Sequence, residues 1–125
     1  MVLKTYIGRY DLPTANGSTS TTESQRLYIA LNSTLVSASV QLATASQGPV
    51  DVDGLFLFDV STSDGFYLPG TYGTLRADSN YTSSDMVAWT GSVPTSSTKA
   101  YVFAAVRNDT GSTVTVQVIA SVDRT

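Results

Sequence analysis

Val36, Ala38, Val40 and Leu42 alternate with Ser37, Ser39 and Gln41. A period of two gives an extended chain one apolar and one wet face. The same alternation runs through Val114, Val116, Val118, Ala120 and Val122 against Thr113, Thr115, Gln117 and Ser121. Both segments are predicted to be antiparallel strands with one side in a core. Further strands are predicted over Val2 to Tyr10, Gln25 to Leu31, Leu55 to Val60, Met86 to Thr90 and Lys99 to Arg107. The last three are partly apolar on both faces, the mark of a central strand or of a face covered by a neighbour. Trp89, inside MVAWT, is expected in the core.

Turn signals separate these runs. Asn108 to Ser112, NDTGS, reads as a hairpin turn in which Gly111 takes a positive φ. Leu68 to Gly73, LPGTYG, bends the chain twice, and Ser92 to Thr98 forms another loop. Residues 11–24 are small and polar, a connector between the first strand and the rest. The chain is therefore expected to be one domain, with an N-terminal strand and arm over 1–24 leading into a body over 25–125. Seven to eight short strands without a periodic helix predict an all-β fold, an antiparallel β-sandwich, with a jelly-roll or small barrel as the alternative.

Composition supports strands and removes chemistry. Of 125 residues, 35 are Ser or Thr and only two are Lys and one Glu, so common formers of exposed helices are scarce. The chain has no histidine and no cysteine. Triads built on histidine, thiolate nucleophiles, disulfides and histidine or thiolate metal sites are thereby excluded. A net charge of −3, with seven scattered Lys and Arg, provides no basic footprint for nucleic acid. No apolar run approaches the roughly 18 residues of a membrane span. With Met1 followed by no secretion signal, the chain is expected to be made in the cytoplasm.

DVDGLFLFDV, from Asp51 to Val60, opens like a calcium loop. A helix-loop-helix site needs glycine at its sixth position and a bidentate glutamate at its twelfth. Here those positions hold Phe56 and Thr62. Asp51 and Asp53 keep the option of holding one Ca²⁺ with oxygens from another loop, from Asp64, Asp78 or Asp85. Otherwise the stretch is a central strand in which Leu55 to Phe58 fill the core between wet ends. Glycosidase chemistry would need two carboxyls across a cleft, and short turn-rich loops offer little wall for one. No enzyme activity is expected. Tyr6, Tyr10, Tyr67, Tyr72 and Tyr81 are the candidate contact residues, since tyrosine suits both protein interfaces and sugar rings. Phe66 and Tyr67, being adjacent, are expected to expose at most one ring. Asn16, Asn32, Asn80 and Asn108 each precede Ser or Thr by two positions, a pattern that flags surface turns.

DVDGLFLFDV, MVAWTGSVP and KAYVFAAVRNDTGSTVTVQVIASV together make the stretch from about Asp51 to Val122 resemble the bacterial pre-peptidase C-terminal domain. That resemblance implies a small sandwich with a binding or adhesive role, with calcium carried by Asp51 and Asp53. The sequence departs from it at Gly54, in the insert from Ser61 to Ser84, and at PTSSTKAYV. By type, a free-standing, weakly charged, Ser- and Thr-rich domain with a leashed first strand is similar to capsid decoration (cement) proteins and fibre-head modules of tailed phages. This implies a homotrimer on the virion surface, assembled in the host cytoplasm. Its partner would be a protein lattice such as a major capsid protein, gripped by the N-terminal arm and the Tyr-bearing loops. The alternative is an extracellular carbohydrate- or matrix-binding module.

Overall fold

The computed structural model describes residues 2–12, 22–23, 26–30, 32–43, 50–75, 86–108 and 113–125. Ten strands lie in these residues: β1 (Leu3–Leu12), β2 (Thr22–Glu23), β3 (Leu27–Tyr28), β4 (Thr34–Leu42), β5 (Val50–Asp59), β6 (Asp64–Tyr67), β7 (Gly73–Leu75), β8 (Met86–Pro94), β9 (Lys99–Arg107) and β10 (Val114–Asp123). All pairings are antiparallel. The first sheet has the order β1-β10-β4-β8. In the second, β9 and β5 are central; β2 and β3 occupy successive stretches of the free side of β9, and β6 and β7 those of β5.

Counting β2 with β3 and β6 with β7 as single lanes gives two sheets of four lanes. Of the successive lanes, only β5 and its β6/β7 neighbour share a sheet; every other successive pair lies in opposite sheets. The antiparallel β-sandwich expected from the sequence is thus present, and its path is the double Greek key of the jelly roll named there as an alternative. It also corrects the hairpin predicted at Asn108 to Ser112. β9 is already flanked by β5 and by β2/β3, and β10 by β1 and β4, so the two strands are not paired neighbours; residues 109–112, with Gly111, lie outside the described residues. Turn residues reverse the chain, but which edge is free decides the partner.

The core lies between the sheets. On β10, Val114, Val116, Val118, Ala120 and Val122 are all buried, as their alternation predicts. β-branched side chains suit the pleated surface, and each fully buried valine stabilises by about 1.5–3 kcal/mol. On β4, Ala38, Val40 and Leu42 point inward as expected, but Val36 does not. A bulge places Val36 between Leu35 and Ser37, both of which pair directly with β10, and Leu35 takes the inward place. Trp89 joins the core cluster. Among the described residues, Gln25 to Leu31 supplies only the two-residue β3, although the Ile29 amide extends the lane by donating to the Ala100 carbonyl at 2.9 Å.

Three buried polar side chains bind the loops. LPGT forms a turn with Pro69 second and Gly70 third at φ 80°, the order of a type II turn. Thr71 ends it, fully buried, accepting the Leu55 amide at 2.9 Å and donating to the Leu68 carbonyl at 2.6 Å. Thr95 accepts from the Ser33 amide and donates to the Ala30 carbonyl, both at 2.8 Å. Asn108 donates to the Leu12 carbonyl at 3.0 Å and is fully buried. It is thus a tie between β1 and the end of β9, contrary to the surface turn that its Asn-Asp-Thr pattern suggests.

Candidate interaction surfaces

The outer face of the second sheet is aromatic. Register places Phe56 beside Phe103 and Tyr67, and Phe58 beside Tyr101, which in turn pairs with Tyr28. Phe56 and Phe103 stack at 5.1 Å between centroids; Phe58 meets Phe103 edge-on at 5.9 Å, and Tyr28 meets Tyr101 edge-on at 5.6 Å. The Arg26 guanidinium lies 3.7 Å from the Phe58 centroid. Such contacts contribute about 0.5–1.5 kcal/mol per ring pair beyond area burial. Leu55 and Leu57 point into the core, while Phe56 and Phe58 belong to this outer layer. The expectation that Leu55 to Phe58 all fill the core is therefore corrected: strand alternation sends every second ring outward. The apolarity of both faces of β5 and β9 was the available signal.

Tyr67, 38% exposed, packs its ring 5.6 Å from Phe56 and over the backbone of Gly54. A Cβ at Gly54 would stand 2.6 Å from the Tyr67 ring, so glycine there admits the aromatic cover. Phe66 is 44% exposed as well. Adjacent residues do point oppositely, yet both are open because β6 is an edge lane of the sheet. Tyr72 is the most exposed of the candidates, at 71%. Tyr81 lies outside the described residues.

Tyr6 and Tyr10 sit differently from what a detached arm requires. β1 pairs with β10 without interruption from Leu3↔Asp123 to Leu12↔Val114. Tyr6, Gly8, Tyr10 and Leu12 take the inward side; Tyr6 and Tyr10 are partly buried against the core. Tyr10 folds back over Gly8, whose missing Cβ leaves it room. Burial raises the Tyr10 phenol above its ordinary pKa. Leu3, Thr5, Ile7, Arg9 and Asp11 face outward, tied across the strand by Thr5–Ser121 at 2.8 Å, Arg9 to Gln117 at 2.9 Å and Thr115 to Asp11 at 2.6 Å. Most of the outward positions of β4 and β10 are Ser, Thr or Gln.

Asp51 and Asp53 are both on β5 and exposed. Asp51 lies opposite Arg107 in the ladder and accepts a hydrogen bond from Thr74 at 2.9 Å. Asp53 is the extra residue of a bulge between Val52 and Gly54 and lies 3.7 Å from the Arg107 guanidinium. Arg107 thus places a cation beside Asp53 and across the ladder from Asp51. Among the described residues, no three His, Cys, Asp or Glu side chains gather as a metal group. Asp64 pairs with Asp59 at the other end of β5, while Asp78 and Asp85 lie outside the described residues. Among the described residues two carboxylates have perturbed acidity, Asp59 and Asp123, and Asp59 lines a surface pocket with Thr62, Asp64, Gly65, Phe66 and Lys99. Asp59 is lowered chiefly by hydrogen bonds from the Ser61 side chain and backbone, and Asp123 by those from Thr125.

No protein-family model and no curated protein match the chain, so the pre-peptidase C-terminal resemblance gains no support. Solved structures do match it. A chain of the "Cyanophage Pam1 capsid asymmetric unit" aligns over 97% of this chain and 84% of its own, at 15% identity and a TM-score of 0.54. The fold is therefore that of a chain from a phage capsid asymmetric unit, along nearly the full length of this chain and 84% of the other. A structure of infectious bursal disease virus, Gx strain, aligns over 98% of this chain and 32% of its own, at 15% identity and a TM-score of 0.43.

Proposed function

We propose that this protein is a non-enzymatic structural component of a virion, held in a protein lattice through its sheet faces and edges. The observation that carries this is the full-length likeness to the chain of the phage capsid asymmetric unit, in the same fold and over most of both chains. The described surface fits such a role. It is weakly charged, and its exposed large apolar side chains are Val2, Leu3 and Ile7 at one edge and Tyr28, Val60, Phe66, Tyr67, Tyr72 and Met86 elsewhere. The lattice partner, such as a major capsid protein, would meet the aromatic outer face and the Tyr72 loop. β1 is docked in its own sheet, so its grip would come from an exposed strand edge rather than a released arm.

A second function is favoured by one observation: Tyr28 and Tyr67 flank an aromatic floor with Asp51, Asp53 and Arg107 at one end, an arrangement that also suits a carbohydrate ring. Gradient-purified particles from the source of the sequence separate the two. A tagged chain that bands with particles, and is lost from them when Tyr67 and Tyr72 are changed to Ser, supports the structural role. A chain that stays at the top of the gradient and is retained by immobilised glycans supports the other.

A further inference from the structure

We infer that β1 is a self-pairing edge, which joins two copies of this chain into a dimer with one continuous sheet. The inference rests on the structural role proposed above and names one of its contacts. Among the described residues β1 ends the first sheet: one of its sides bonds β10 and the other presents main chain. Exposed strand edges are ordinarily guarded by proline, a bulge, shortness or a central charge. Over Leu3–Leu12 β1 has no proline and no bulge and runs ten residues in unbroken register; of its charges, Lys4 lies near one end, while Arg9 and Asp11 are held across the strand by Gln117 and Thr115. Leu3 and Ile7 are 56% and 60% exposed beside this edge. Ile7 and Ile119 form an apolar rung in a face otherwise rich in hydroxyls and amides.

The occupant is a second copy because the strand is complementary to itself. A twofold axis through Ile7 sets Ile7 against Ile7, Thr5 against Arg9 and Leu3 against Asp11 on the outer side. On the inner side it sets Tyr6 against Gly8 and Lys4 against Tyr10. Like charges never meet, and on the inner side Tyr6 and Lys4 of one copy come beside the Tyr10 ring of the other, which lies over its own Gly8. Centring on Gly8 would instead oppose two glycines and set Tyr6 against Tyr10; centring on Tyr6 shortens the ladder. Twofold pairing gives a dimer in place of the trimer expected by type.

The absence of cysteine makes the test clean. Directly opposed residues of an antiparallel pair have Cα atoms about 4.5–5.5 Å apart, within disulfide range. Ile7→Cys is expected to form a covalent dimer under mild oxidation. Thr5→Cys alone would leave its two thiols about 13 Å apart along the ladder, at some 3.3 Å per residue, and is expected not to; a mixture with Arg9→Cys is expected to cross-link. Ile7→Lys is expected to weaken dimerisation at least tenfold in sedimentation equilibrium, with circular dichroism unchanged. An Ile7→Cys chain whose thiol reacts with a free reagent but gives no dimer overturns the inference, as do equal yields from Ile7→Cys and Thr5→Cys. Failure to cross-link in a chain that still bands with particles removes the edge pairing alone. Cross-linking at Ile7 in a chain that bands with none removes the virion role alone.

Discussion

Thr71→Val removes one hydroxyl and keeps the side chain's shape, at a point where the second sheet has a gap. β6 covers β5 from Phe56 to Asp59 and β7 covers it from Val50 to Val52, which leaves Asp53 to Leu55 without a strand on that side. The turn fills the gap at Leu55: its amide donates to the Thr71 hydroxyl and its carbonyl accepts from the Leu68 amide, both at 2.9 Å. Valine would leave the buried Leu55 amide without an acceptor, at a cost of about 1–3 kcal/mol. The Leu68 carbonyl would keep the Thr71 amide at 3.3 Å. At about 2.1 cal/mol/K per residue, unfolding this chain carries an entropy near 260 cal/mol/K, so each kcal/mol lowers Tm by about 4 °C. The expected loss is about 4–12 °C by thermal circular dichroism. Thr71→Ser keeps the hydroxyl and loses one methyl, for about 1 kcal/mol and about 4 °C. A valine variant as stable as the parent, or more stable than the serine variant, would refute the reasoning.

Gly91→Ala builds a Cβ 2.5 Å from the Trp89 ring, and overpacking of this kind costs about 1–3 kcal/mol; the single tryptophan reports the displacement by its fluorescence. Asn108→Ala removes the buried bond to the Leu12 carbonyl and is expected to cost about 1–3 kcal/mol in urea unfolding. Tyr10 has its folded pKa raised, so the neutral phenol's contribution is complete below pH 10 and is lost as pH rises through the folded value. Tyr10→Phe should flatten the alkaline fall in stability, and an unchanged alkaline limb would contradict this. Arg107 sits against Asp51 and Asp53, so calcium and a chelator are both expected to leave Tm within about 1 °C in a buffered melt, a shift that near-saturating binding would exceed. A calcium-dependent rise of several degrees would restore a cation site there.

Much of the fold is legible in the strand alternation, because a period of two reports which side of a strand is buried. The relation is clearest on β10, where all five alternating positions from Val114 to Val122 are buried. Local pattern could not reveal Val36, since a bulge is set by two partner strands rather than by its own sequence. It could not assign β9 and β10 to different sheets either, because pairing depends on which edges remain free. The candidate site was legible in part. Tyr67 and Tyr72 are exposed as expected, but Tyr6 and Tyr10 lean on the core and the layer of Tyr28, Phe56, Phe58, Tyr101 and Phe103 was hidden within segments read as interior. An apolar residue facing outward carries the same letter as one facing inward.

Electron cryomicroscopy of purified particles from the source of the sequence addresses the virion role most directly. The role predicts density for this jelly roll at fixed lattice positions, in an integral ratio to the shell subunit, with the aromatic face or the β1 edge in contact. Particles complete without that density, while the chain remains soluble and unassembled in the same preparation, would contradict it.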